Sequence, residues 1–138
     1  MRRFSRDIRE KLIRAGWYEG RDVLQEVNIP KFFNTFPAAL QVLREFGNLT
    51  LWGKSTVEID PSLEERVEEC LAPYEAQLGV KLCLLGSLDE GHGSMVIDEV
   101  GGVYAMWGVS GAFYLAGNNI DQALENLLLG HRLSEKSG

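Results

Sequence analysis

An α+β fold is what this sequence predicts: one domain, an antiparallel or mixed curved sheet with helices packed against it. Three observations carry that expectation. Apolar residues recur at helical spacing near both ends of the chain, and period-two runs separated by turn residues fill the middle. The 138 residues show no internal repeat and no linker, a length that suits one hydrophobic core. Helices followed by strands and a closing helix, rather than strict alternation, favour α+β over α/β. The domain is expected to span 1–138, with its core over about 5–130 and a polar tail over 131–138 that frays.

The elements follow in order. Phe4, Ile8, Leu12 and Ile13 recur at helical spacing, Ser5 is a candidate cap and Gly16 a stop, which predicts a helix over 5–15. Pro30 suits a short helical turn over 30–35. Pro37 suits the first turn of a helix over 37–46, with Ala39, Leu43 and Phe46 on one face and Gly47 after its end. Leu49 to Trp52 and Thr56 to Ile59 read as two strands of a hairpin. Asp60 caps a helix that Pro61 opens, with Leu63, Val67 and Leu71 as its buried stripe. Pro73 interrupts that helix, and a short one over 74–78 ends at Gly79. Strands are expected over 81–85, 94–98, 103–107 and 113–115, with tight turns at Gly91-His92-Gly93 and Gly101-Gly102. Asn119 or Asp121 caps the last helix, whose Ile120, Ala123, Leu124, Leu127 and Leu128 form one apolar face before Gly130.

Composition narrows the function classes. The chain is 45% hydrophobic and 25% charged, ordinary for a globular domain. No apolar run is long enough to span a bilayer, and Asp7 and Glu10 fall where a signal peptide needs an apolar core, so a cytoplasmic protein is expected. Cys70 and Cys83 lack CxxC spacing and read as reduced, buried thiols. Net charge is −6 and uneven. Residues 1–21 carry seven Lys/Arg against three Asp/Glu, and residues 22–138 carry seven against seventeen. An acidic body repels nucleic acid and membrane surfaces and favours a basic protein partner.

Catalytic chemistry finds little support. His92 and His131 are the only candidate bases of a nucleophile–base pair, and Ser110-Gly111 lacks the glycine pattern of a nucleophile elbow. Asp89, Glu90 and His92 lie close in sequence, but such a loop reads first as a solvated turn, not a metal site. Gly91-His92-Gly93 precedes a strand, so it does not cradle a phosphate. No enzyme, metal or cofactor is therefore expected. Glu64, Glu65, Glu68 and Glu69 read as a solvated helix face or as a docking surface for a basic partner. Trp17, Trp52 and Trp107 read as core or rim residues, any one of which is a candidate interface anchor.

A series of short signatures runs along the chain: Gly16-Trp17, Gly20-Arg21, Phe46-Gly47-Asn48-Leu49, Asp60-Pro61, and Ile97-Asp98-Glu99 leading to Gly102-Val103-Tyr104. In this order and spacing the chain, over roughly 8–130, resembles the third subgroup of the SUKH superfamily, small bacterial immunity proteins that neutralise polymorphic toxins. Two departures are visible: Asn48 replaces a glycine, and the segment between Arg21 and Phe36 is short, so that a second helix is reduced there. The resemblance implies a helical N-terminal part, a curved sheet and a closing helix, with Gly16, Trp17, Gly20, Arg21, Phe46, Gly47, Asp60, Pro61, Asp98, Glu99 and Tyr104 in structural roles. It implies a protein that is monomeric when free and occludes a cognate nuclease- or deaminase-type toxin. Glu64, Glu65, Glu68, Glu69, Asp89, Glu90 and His92 are then the candidate contacts to a basic cleft. An intracellular adaptor or regulator on the same scaffold is the alternative.

Overall fold

Every residue of the two central strands is buried, and the rest of the architecture serves to cover them. The computed structural model describes residues 3–31, 33, 35–107 and 112–135, except for the side chains of Glu64, Glu65, Glu69, Ala112 and Glu135. Among them the strands β1 (Thr50–Leu51), β2 (Val57–Glu58), β3 (Leu82–Leu88), β4 (Gly93–Asp98), β5 (Val103–Trp107), β6 (Ala112–Gly117) and β7 (Ser134–Glu135) form one sheet. Their spatial order is their chain order, and every neighbouring pair is antiparallel. The helices are α1 (Arg6–Ala15), α2 (Pro37–Phe46), α3 (Glu65–Glu69), α4 (Ala72–Leu78) and α5 (Ile120–Leu129).

Sequence periodicity and caps explain the three long helices. The Ser5 hydroxyl accepts from the Ile8 N–H and Gly16 closes α1 in the left-handed region. Asn119, not Asp121, caps α5: its side chain accepts from the Gln122 N–H at 2.8 Å, while Gln122 accepts from the Asn118 N–H at 2.7 Å. Gly47 follows α2 with an ordinary negative φ, and the left-handed residue is Asn48, at φ 66°. The core joins Ile8 and Leu12 of α1, Leu43 and Phe46 of α2 and Leu124 of α5 to Cys83, Leu85, Met95 and Ile97 of the sheet. Tyr74 of α4 stacks on Phe113, which stacks on Tyr104. Because Tyr104 pairs with Val96 while Val103 pairs with Ile97, these rings lie on the sheet face opposite Ile97. Layers on both faces account for the unbroken apolar run of β3.

The sheet departs from the sequence reading in its lengths: β1 and β2 have two residues each where four were expected over 49–52 and 56–59, and β6 extends to both sides of 113–115. β3 runs on through Gly86-Ser87 to Leu88, with a bulge between Leu84 and Gly86. A side chain at Gly86 would collide with the Glu58 carbonyl, so glycine here lets the short β2 lie close to β3. The tail, expected to fray, instead pairs Ser134 and Glu135 with Leu115 and Tyr114.

Burial differs in three more places. Leu63 is half exposed, because residues 61–64 wind as a 3-10 helix whose tighter turn puts Leu63 out of phase with the buried Leu71. Ile13 is 52% exposed at the last turn of α1. Cys70 is exposed, and only Cys83 is buried. The segment after Arg21 forms a single 3-10 turn, Leu24–Glu26, and the Phe33 N–H donates to the Pro30 carbonyl in the short turn expected there.

Trp17 is buried, its ring edge-on to Phe4 at 5.9 Å and its indole N–H donating to Glu45 at 2.9 Å. Trp17→Ala empties an aromatic site and leaves that carboxylate short of a donor. A destabilisation of about 3–5 kcal/mol is expected by urea unfolding.

Candidate recognition surface

The signature residues are occupied in holding the chain together. Glu45, near the end of α2, accepts from Trp17 and from both terminal nitrogens of Arg3, at 2.8 and 3.1 Å. Arg3 also reaches Asp121 in the first turn of α5, at 2.9 and 3.0 Å. Hydrogen bonds to Asp121 and then Glu45 hold the guanidinium in its charged form more firmly than usual. Arg21 donates to the carbonyls of Glu45 and Gly47 at 2.7 and 2.8 Å, satisfying acceptors that the end of α2 leaves open. Asn48 donates to the Glu26 carbonyl from its left-handed turn. Asp60 accepts from the backbone N–H and hydroxyl of Ser62, which fixes the turn that Pro61 opens.

Asp98 is a second such centre. It is 3% exposed, yet its carboxylate accepts from the backbone N–H of Val100 and Gly102, both at 2.9 Å, and from the Tyr104 hydroxyl at 2.8 Å. Three donors replace the water lost on burial. Burial, and then the bond to Asp98, pushes the Tyr104 hydroxyl up to about 12. Glu99 accepts from the Lys81 N–H at 3.3 Å. The motif from Ile97 to Tyr104 is therefore the wiring of one tight turn.

The acidic residues divide in the same way. β2 is two residues long and on β3 pairs only with Ser87 and Leu88, so it does not reach Leu82 and Leu84. The carboxylates of Glu75 and Glu68 accept from those two N–H groups at 2.8 and 2.9 Å. This protects a strand edge and commits Glu68 to the fold. The side chains of Glu64, Glu65 and Glu69 lie outside those described.

Asp89 is equally committed: it accepts from the Thr56 N–H at 3.0 Å and from the Trp107 indole at 2.8 Å, joining β2 to β5. These bonds hold Asp89 and Glu90 at φ 51° and 57°, a strained left-handed pair. Glu90 and His92 are exposed at the tip of this loop, with His92 Nδ1 2.6 Å from the Asp89 carbonyl. Among the described residues no three His, Cys, Asp or Glu side chains converge as a metal site would require. The Cys83 thiol is pushed up to about 12 by burial and by Glu68, so it is a poor nucleophile.

Of the three tryptophans, Trp17 belongs to the core and Trp107 is half-buried against Tyr114. Trp52 is 60% exposed, in the turn after β1. Its position before Gly53-Lys54 marked a strand end, but only the packed structure shows how much of it the described residues leave open. Glu45, Arg3 and Glu75 drew no attention in the sequence, because a charged residue at a helix end carries no mark of its eventual partner.

The sequence model of the SUKH-3 immunity protein matches residues 4–130. The chain belongs to the SUKH-3 immunity protein family. No curated protein and no solved structure matches it. In this SUKH-3 chain the polar signature residues Trp17, Arg21, Asp60, Asp98, Glu99 and Tyr104 are engaged in bonds within the fold. No helix among the described residues is long and apolar enough to cross a membrane.

Tyr104 offers a test of this wiring. A folded-state phenol raised from 10.0 to about 12 contributes stability below pH 10 that is lost as pH rises toward 12, because the unfolded chain deprotonates first. Tyr104→Phe should flatten that part of the stability–pH curve. At neutral pH it should cost about 1–3 kcal/mol by leaving Asp98 short of a donor, measured by urea unfolding across pH 7–12.

Proposed function

We propose that this protein neutralises a cognate toxin domain, of nuclease or deaminase type, by binding it stoichiometrically and covering its active cleft. The observation that supports this most is the family match over nearly the whole chain, from residue 4 to 130. The geometry adds a reason to place the activity at the surface: Glu45, Asp98, Glu68 and Asp89 are spent on internal bonds. Inhibition of this kind is steric and electrostatic. A toxin that handles nucleic acid needs a basic cleft, and an inhibitor with net charge −6 is drawn toward it. Glu90 and His92 are the exposed members of the loop candidates, and Glu64, Glu65 and Glu69 supply further acids from the helical segment. The protein is cytoplasmic and monomeric until it meets the toxin, and it contacts the toxin rather than its nucleic acid.

Co-expression with the toxin domain encoded beside it tests this. Cells carrying both should survive where toxin alone kills, and the two chains should co-purify at one to one. Glu90→Lys should slow association several-fold at low salt, leave the melting temperature unchanged, and lose its effect as salt rises. Death of the co-expressing cells, with both chains soluble and unassociated, overturns the reading.

A further inference from the structure

Trp52 is exposed but rigidly held. The turn that carries it is bonded through its backbone to the end of α5: the Lys54 N–H donates to the Leu128 carbonyl at 2.8 Å and the Ser55 N–H to that of Leu127 at 3.1 Å. A side chain at Gly53 would strike the Leu128 carbonyl, so the backbone there is in contact with the helix. On the other side Lys11 of α1 donates its ammonium to the Trp52 carbonyl at 3.0 Å. The ring stands on a fixed frame while 60% of its residue surface remains in water.

The charges nearest the ring are basic. Trp52 lines a cleft of about 440 Å³ with Lys11, Arg14, Ala15 and Thr50, and no carboxylate among the described residues lines it, although Asp7 and Glu10 line the adjoining cleft that shares Lys11 and Arg14. Among the described residues neither Arg14 nor Lys54 has an ion-pair partner. Across α1, Ile13 is also exposed, in a cleft with Arg6, Arg9, Glu10 and Glu19. The N-terminal segment 1–21 still carries seven Lys/Arg against three Asp/Glu, so a net basic, partly apolar face stands on an otherwise acidic protein. Because the backbone beneath Trp52 is already fixed, docking has only the side chain left to order, and tryptophan is frequent among residues that dominate binding energy.

We propose that Trp52, with Lys11 and Arg14 beside it, is the anchor by which this protein grips an acidic patch flanking the toxin's cleft, the ring entering an apolar notch and the cations meeting carboxylates. The assignment rests on the toxin-binding function proposed above and names its contact. Opposite charges at two places on the inhibitor fix the orientation of the complex as well as its strength. An acidic surface of a second copy of this chain, or a nucleic acid whose base stacks on the ring, are the competing occupants.

The test measures binding of the co-expressed toxin domain by the unmodified protein, Trp52→Ala and Arg14→Glu, each first shown to keep its melting temperature. Trp52→Ala should weaken binding by about thirtyfold or more, chiefly through faster dissociation. Arg14→Glu should slow association several-fold, an effect that salt suppresses. Unmodified protein that binds the toxin while both variants bind it equally well overturns the anchor and leaves the toxin reading intact. Unmodified protein that binds no toxin domain overturns both. Sedimentation of the unmodified protein as a dimer that Trp52→Ala dissolves, or binding of a single-stranded oligonucleotide that the same substitution abolishes, assigns the face to one of the competitors and also overturns the proposal.

Discussion

The Glu45 carboxylate is the constraint on which the N-terminal half depends. It sits at the end of α2, where it is reached by Trp17 from the turn after α1 and by Arg3 from before it. Arg3 continues to Asp121 at the start of α5. One charged group thus fixes three helices relative to one another. Without that arrangement α1 would still be amphipathic, but its polar ties to the sheet among the described residues would reduce to the bond from Lys11 to the Trp52 carbonyl. The angle of α1 places Lys11 under the Trp52 carbonyl, so the geometry of the exposed face is set by a hydrogen-bonded centre some way beneath it. Half-buried charge is an economical way to do this, since charge-assisted bonds are directional where apolar contact is not.

Much of the fold was legible in the sequence, for reasons that are local. The helices α1, α2 and α5 fall within a residue of their expected bounds because a cap or proline opens each and a glycine closes each. β5 was legible to the residue and β4 began one residue earlier than expected, each preceded by a glycine-containing turn. What escaped notice was decided by partners distant in sequence. The sequence pattern ends β3 at Leu85, and Gly86-Ser87 continue it because Met95 and Ser94 on one side and Glu58 on the other pair with them. Ser134 and Glu135 have no strand character of their own and pair because β6 offers an open edge.

The site was legible only as charge and motif. The signatures were recognisable, but not the bonds that make them necessary: Asp98 with three donors looks in sequence like any turn aspartate. Counting acids also says nothing about which remain free. Glu68 and Asp89 were grouped with Glu64 and Glu90 by proximity, yet both are consumed by backbone and indole N–H groups. Exposure misleads in the opposite direction, since Trp52 and Ile13 have the hydrophobicity of core residues and lie outside.

The manner in which the turn after β1 is fastened has a consequence for diversity. Its hold on α5 runs through the main chain of Lys54 and Ser55 and through the absence of a side chain at Gly53; the indole of Trp52 takes no part. Position 52 therefore works like a tool holder: the grip is independent of the bit. A substitution at this position alters the chemistry of the exposed point while the main-chain bonds to α5 stay as they are. Surface character and stability can vary independently there.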